Sequence, residues 1–416
     1  MKKFLIFFLT VVLLAACSNE IPEHHQPVQA KRTILAYLVA NNNLDGDLMD
    51  NVKWMYESLA TAKDSCTLVI YYKPKLKLDQ LDPSHNPYLD KPIILEFRTN
   101  GFGEINNQPV LQGNDASFDK ILAQAIQHTA DPGSAVSRQA IIKNLSIMQE
   151  IAPSQSYGLI FGSHASGWLQ AGRRVSTYAF GDDGGYSIDI PELGSALTAS
   201  FPQHNLDFTL FDACMMGTTE VFHELRNATH YCIASVMESP GDGFPYHLFL
   251  TSLYEKEIDY AQLCKTVIDF NKRMNSWGTY AVVDCTKMDD LTAAIRQELS
   301  LIPDKLQNIP YEEIQQYGVS DYYKDYRYFS FDVADIFRRL NGEVPASIQQ
   351  ALAQAVIAKE CITDCTISPF GQVLRDKNRF CGIGMYLPYT IGKKQWDQYY
   401  ETLSWYQAAG WNNLKH

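Results

Sequence analysis

The stretch DFTLFDACMMG, residues 207–217, decides how this chain is read. Phe208, Thr209, Leu210 and Phe211 are strand-forming residues in a short apolar run. Beyond it, Val221, Phe222 and Leu225 recur at helical spacing within residues 218–226. The pattern predicts a strand running into a helix, with Cys214 at the hinge. Two readings of that cysteine stand open. It is a buried apolar thiol, the commonest fate of a free cysteine, or it is a reactive thiol held at the carboxyl end of a strand next to a helix start.

Working outward, the same unit recurs. A helical pattern over residues 138–151 leads into the strand candidate Tyr157-Gly-Leu-Ile-Phe161, and Gly162-Ser163-His164 follow at its end. Further strand candidates lie at 33–40, 67–72, 92–97, 231–236, 280–283 and 382–387, with helical patterns at 48–63 and 191–199. Strands alternating with helices predict an α/β fold with a largely parallel central sheet. The later half is expected to extend that sheet and to add C-terminal helical segments. Open sheets of this kind carry their crevices past the carboxyl ends of the strands. His164 and Cys214 both fall there. The loop between their two units, residues 163–187, is long for a compact domain, which marks it as functional or mobile.

The whole chain bounds the function. Its 416 residues are 46% hydrophobic and 20% charged, enough for a large core. With a formal charge of -12 and no long basic run, nucleic acid is not expected as a partner. The start, MKKFLIFFLTVVLLAACSNE, combines two lysines, an apolar stretch too short to span a bilayer, and small residues before Cys17. Leu14-Ala15-Ala16-Cys17 resembles the lipobox of bacterial lipoproteins, in which the exposed cysteine receives lipid. The expected organisation is a signal peptide over 1–16, a lipid-anchored tether over 17–30, the main domain over 31–390 and a helical extension over 391–416. The expected place is a bacterial cell envelope, on the outer membrane or cell surface. The remaining eight cysteines lack paired CxxC spacing, so no zinc site is expected.

Nucleophilic catalysis by a thiol needs a base and backbone donors for the developing oxyanion. Cys214 supplies the thiol, His164 is the best-placed base, and the backbone N–H groups of Cys214 and Ala165 are candidate donors. A histidine capping a strand end is the structural alternative for His164. The other chemistries fail at specific positions. His223-Glu224 would need a histidine where Asn227 stands to make HExxH, and no serine sits in GxSxG. No cofactor is expected. Asp182-Asp183-Gly184-Gly185 could contribute oxygens to calcium, though a turn is the commoner meaning of such a run.

Three blocks in order, His164-Ala-Ser-Gly-Trp168, Phe211-Asp-Ala-Cys-Met-Met216 with Glu220-Val221 behind it, and Ser239-Pro-Gly-Asp-Gly-Phe-Pro-Tyr246, resemble the clostripain family of cysteine peptidases. Supporting similarity runs from Leu35 to about Leu387. The resemblance implies a caspase-like α/β/α sandwich, a dyad of His164 and Cys214, and endopeptidase activity on proteins and peptides after Arg or Lys. Ala165 stands where that family usually has glycine.

A basic preference requires an acidic pocket floor. Asp242 is the candidate, with Asp212 as helper; a turn aspartate and a strand-end cap are the alternatives. Arg173 and Arg174, in the loop between the dyad strands, are candidate self-cleavage sites, or else a solvated basic patch. Two competing functions remain: a non-catalytic binding lipoprotein of the same fold, and a cell-wall peptide amidase or transpeptidase using the same dyad.

Overall fold

The structure, a computed structural model, describes residues 30–77, 85–171, 179–302, 306, 309–317, 328–363 and 376–414. Its centre is a five-stranded parallel array. Strand β1 (Ala30–Val39) lies between β2 (Cys66–Lys73) and β7 (Ser154–Gly162), and β8 (Leu206–Asp212) and β9 (Tyr231–Ser235) follow beside β7. The edges are antiparallel. On one side β10 (Thr279–Asp284) and β12 (Val356–Cys361) continue from β9. On the other, β3 (Ile93–Thr99) pairs with β2 and carries β4 (Glu104–Ile105), β5 (Gln108–Pro109) and β6 (Ile126–Thr129).

Residue alternation along the strands makes the sheet two-faced. Leu35, Tyr37 and Val39 of β1 join Leu159, Phe161 and Phe211 in one core, while Ile34, Ala36 and Leu38 join Ile160, Phe208 and Leu210 in the other. Helix α1 (Asp45–Ala60) covers the second face with Leu48, Val52, Met55 and Leu59. Helices α3 (Arg138–Ile151), α4 (Ile190–Ser200) and α5 (Thr219–Leu225) cover the first with Ile141, Leu145, Leu193, Leu197, Val221 and Leu225. α2 (Phe118–Gln124) packs near α1 at the β3 edge. At about 1.5–3 kcal/mol for each fully buried large apolar side chain, these faces hold the strand ends in fixed register.

The largely parallel sheet is the one expected from the alternation, and the α/β/α layering is the one the family resemblance implies. The strand expected over 382–387 departs from that picture. Only β13 (Gly384–Met385) is extended, and it pairs with β11 (Phe331–Asp332) in a separate two-stranded sheet. The Gly384 N–H donates to the Gly217 carbonyl at 3.0 Å, so this segment braces the loop behind Cys214 instead of widening the main sheet. The C-terminal helices Lys394–Tyr400 and Ser404–Ala408 bury Tyr400 and Trp405 in the first core. Residues 1–29, holding the expected signal, tether and Cys17, lie outside the described residues.

Candidate active site

Two strands set the geometry. β7 and β8 pair in parallel with Gly162 opposite Asp212, and the Ser163 N–H donates to the Asp212 carbonyl at 3.4 Å. His164 and Cys214 therefore leave the sheet at matching positions on neighbouring strands, about 4.8 Å apart in the sheet. Their loops touch. Gly167 sits at φ +60°, a conformation natural to glycine, and a Cβ there would collide with the Met215 carbonyl. Met215 itself holds φ 59° directly after Cys214, and its N–H donates to the Met237 carbonyl at 2.9 Å. Non-glycine residues in that region cost about 1–3 kcal/mol and persist where surrounding structure enforces them.

The thiol is half-buried and clasped by the loop that continues from β9. The Ser239 N–H donates to Cys214 Sγ at 3.4 Å, Sγ faces the Ser239 carbonyl at 3.9 Å, and Ser239 Oγ donates to the Ala213 carbonyl at 3.3 Å. Burial, with the charge of Glu238 adding to it, pushes the thiol up to about 12, and the Ser239 N–H pulls the other way. Glu238 is itself pushed up to about 7 by burial. The helix expected over 218–226 is α5, and its start at Thr219 leaves Cys214 in the turn before it. The helix terminus is thus not what faces the sulfur; a backbone N–H from a third strand's loop does.

His164 is half-buried, and its burial holds the imidazole below its usual range, with Asp182 opposing. Its Nε2 lies 2.7 Å from Asn43 Oδ1, at the turn between β1 and α1. The His164 carbonyl accepts from the Gly181 N–H at 2.9 Å, and the Ser166 N–H donates to the Ala179 carbonyl at 3.4 Å. Ala165 forms an antiparallel bridge with Phe180 between those two bonds, a pattern that turns the Ala165 N–H away from Phe180.

The acidic residues divide. Asp212 is buried, and its Oδ2 accepts from the Phe244 N–H at 3.1 Å and the Tyr246 hydroxyl at 2.8 Å. Burial pushes it up to about 6, with Asp47 adding to that and its two donors opposing. It clamps the 240–246 loop to the end of β8. Asp242 is exposed on that loop, whose backbone is held by a bond from Asn51 Nδ2 to the Asp242 carbonyl at 2.9 Å. Gly243 at φ +72° leaves room for the close packing, since a Cβ there would stand 2.6 Å from Asp212 Oδ2 and 2.7 Å from Asn51 Oδ1. Asp47 is raised by its burial and by the neighbouring charges of Asp242 and Asp50. An acidic patch from α1 and the 240–246 loop thus borders the strand ends.

Asp182 and Asp183 work inside the loop. Asp182 Oδ1 accepts from the Gly185 N–H at 2.7 Å, and Asp183 accepts from Asn41 Nδ2 and the Ala135 N–H, each at 2.7 Å. Lys73 lies 3.8 Å from Asp183. Among the described residues no group of three or more His, Cys, Asp or Glu could hold a metal ion. Arg173 and Arg174 lie outside the described residues. Sequence reasoning missed Asn43, Ser239 and Asp47. The run Asn41-Asn42-Asn43 just past β1 was a signal for the first of them, as a polar cluster at a strand's carboxyl end.

The sequence profile described as the clostripain family matches residues 36–416. No curated protein matches the chain. Among solved structures, an inactive zymogen C11 protease from Parabacteroides distasonis is 22% identical with a TM-score of 0.68, over 92% of this chain and 99% of that one. A secreted C11 cysteine protease from Bacteroides thetaiotaomicron, in complex with an irreversible peptide inhibitor, is 20% identical with a TM-score of 0.69, over 92% of this chain and 100% of its own. At such identities the likeness is one of fold.

Proposed function

Because the chain belongs to the clostripain family of cysteine peptidases, we propose that it is an endopeptidase that cuts after Arg or Lys, with Cys214 as nucleophile and His164 as base. The observation that carries this reading is the register of β7 and β8, Gly162 opposite Asp212, from which both loops depart and meet at Gly167 and Met215.

Burial holds the thiol up and the imidazole down, so both rest neutral near pH 7. His164 accepts the thiol proton as Sγ attacks the scissile carbonyl carbon. The carbonyl oxygen, now negative, takes hydrogen bonds from the N–H groups of Cys214 and Ala165. The imidazolium returns its proton to the leaving amine as the C–N bond breaks. Water then releases the acyl group from sulfur, with His164 as base again.

Asp242, exposed beside Asp47, serves as the acid that pairs with a substrate guanidinium or ammonium, and Asp212 sets the loop that carries it. Cleavage after Arg173 or Arg174 would open the loop between the dyad strands and activate the enzyme. Lipid on Cys17 would tie the chain to a membrane through the segment that precedes β1.

The test is hydrolysis of a mixed peptide library by the wild type beside Cys214→Ala and His164→Ala. Cleavage after basic residues that both variants lose supports the reading; turnover retained by either removes the dyad. An uncut library alongside transfer or deamidation of cell-wall peptides would assign the dyad to that chemistry instead.

A further inference from the structure

We propose that Asn43 is the positioning residue of the site, holding His164 by its Nε2–H in the ring orientation and tautomer that the reaction needs. This rests on the reading of His164 and Cys214 as base and nucleophile. The observation is the 2.7 Å contact between His164 Nε2 and Asn43 Oδ1, made by residues 121 positions apart in the chain.

Three consecutive asparagines follow β1, and their neighbours separate their roles. Asn42 is buried, donates from Nδ2 to the Val39 and Asp182 carbonyls at 3.0 and 2.8 Å, and accepts from the Leu44 N–H at 2.8 Å. Asn41 donates to Asp183 at 2.7 Å and accepts from the Leu76 N–H at 2.9 Å. Both knit the loops together. Asn43 is exposed, and its side-chain bond goes to the imidazole. An exposed amide held on a half-buried base is poorly accounted for by fold stability, since exposed polar pairs contribute little.

The chemistry explains the choice of partner. In a neutral imidazole one nitrogen carries the proton and the other the lone pair, and the hydrogen bond at one settles the state of the other. An amide oxygen on Nε2 fixes the proton there and puts the lone pair on Nδ1, the nitrogen that must take the thiol proton. An amide is also uncharged. It orients the ring without drawing it into the protonated form, in keeping with an imidazole held below its usual range while Asp182 is the charged group facing it. A carboxylate in the same place would hold the ring equally well and raise its proton affinity.

The experiment is steady-state hydrolysis of an Arg-containing peptide substrate across pH by wild type, Asn43→Ala and Asn43→Asp, with thermal midpoints for each. Asn43→Ala is expected to lower kcat about tenfold or more, about 1.4 kcal/mol, with KM and thermal midpoint nearly unchanged. Asn43→Asp is expected to recover much of kcat and to move the acid limb of kcat/KM to higher pH. Wild-type kcat in Asn43→Ala overturns the proposal. So does an Asn43→Asp variant as weak as Asn43→Ala with an unmoved acid limb, and so does a loss in both variants that tracks a lowered thermal midpoint. The underlying dyad is judged separately: with Cys214→Ala and His164→Ala inactive, a normal Asn43→Ala removes only the role of Asn43.

Discussion

At the residue scale, burial acts on each ionisable group in a direction fixed by its charge, and pH reads this out. A neutral His164 is needed to accept a proton, so activity should fall as pH drops through its folded value, which lies below 6.5. An acid limb above pH 6.5 in kcat/KM would contradict that placement. Asp212 carries the opposite sign. Its folded value, about 6, exceeds the ordinary 3.8 of the unfolded chain, so the folded state binds more protons between the two and ionisation costs stability as pH rises through that window. The cost is on the order of 3 kcal/mol. Asp212→Asn keeps an acceptor for Phe244 and Tyr246, so its stability relative to wild type should improve from pH 4 to pH 7 in denaturant unfolding; a pH-independent difference would refute it. Asp242 is exposed, and Asp242→Asn should lower turnover of Arg substrates about tenfold while sparing neutral ones. Equal loss on both would make it architectural. His164 and Cys214 were legible as candidates because each stands three residues past the end of an apolar run. Asn43 and Ser239 were not, since each acts through a contact with a residue far away in sequence, and no local periodicity encodes such a contact.

At the element scale, the parallel strands and their helices could be read from apolar spacing to within a few residues: the helix over 138–151 coincides with α3, and the run at 207–211 sits inside β8. What spacing could not supply is the shape of the connections. Cys214 sits in a turn whose conformation depends on Met215 at φ 59° and on Gly167 packed against the Met215 carbonyl. Gly167→Ala must push the two loops apart or abandon φ +60°, a penalty of about 1–3 kcal/mol. It should lose activity more than tenfold while the sheet stays folded, measured by peptide hydrolysis beside circular dichroism. Normal turnover in that variant would mean the loops have no need of their close approach. The short β13 was overread from its apolar run because burial alone does not tell a sheet strand from a brace.

At the scale of the whole molecule, the C-terminal residues are tied to the site from behind. Glu220, in the first turn of α5, is fully buried and accepts from the Tyr386 N–H at 2.8 Å and the Tyr400 hydroxyl at 2.7 Å. Trp405 donates to the same hydroxyl at 2.8 Å, and Trp168, four residues past His164, stacks among Phe329, Tyr386 and Tyr400. Trp405→Ala should destabilise the protein by about 3–5 kcal/mol in denaturant unfolding; a change below 1 kcal/mol would show that the terminal helices dock weakly. Sequence placed a helical extension here, and its membership of the first core became visible only from the contacts, because amphipathic helices do not announce their partner. The central claim is that two strand ends in register bring one thiol and one imidazole into a single peptide-cleaving unit. The most direct measurement is cleavage-site profiling of a mixed peptide library by wild type and by folded Cys214→Ala. The expected result is cuts after Arg and Lys with the wild type and none with the variant; the same cuts made by Cys214→Ala would contradict it.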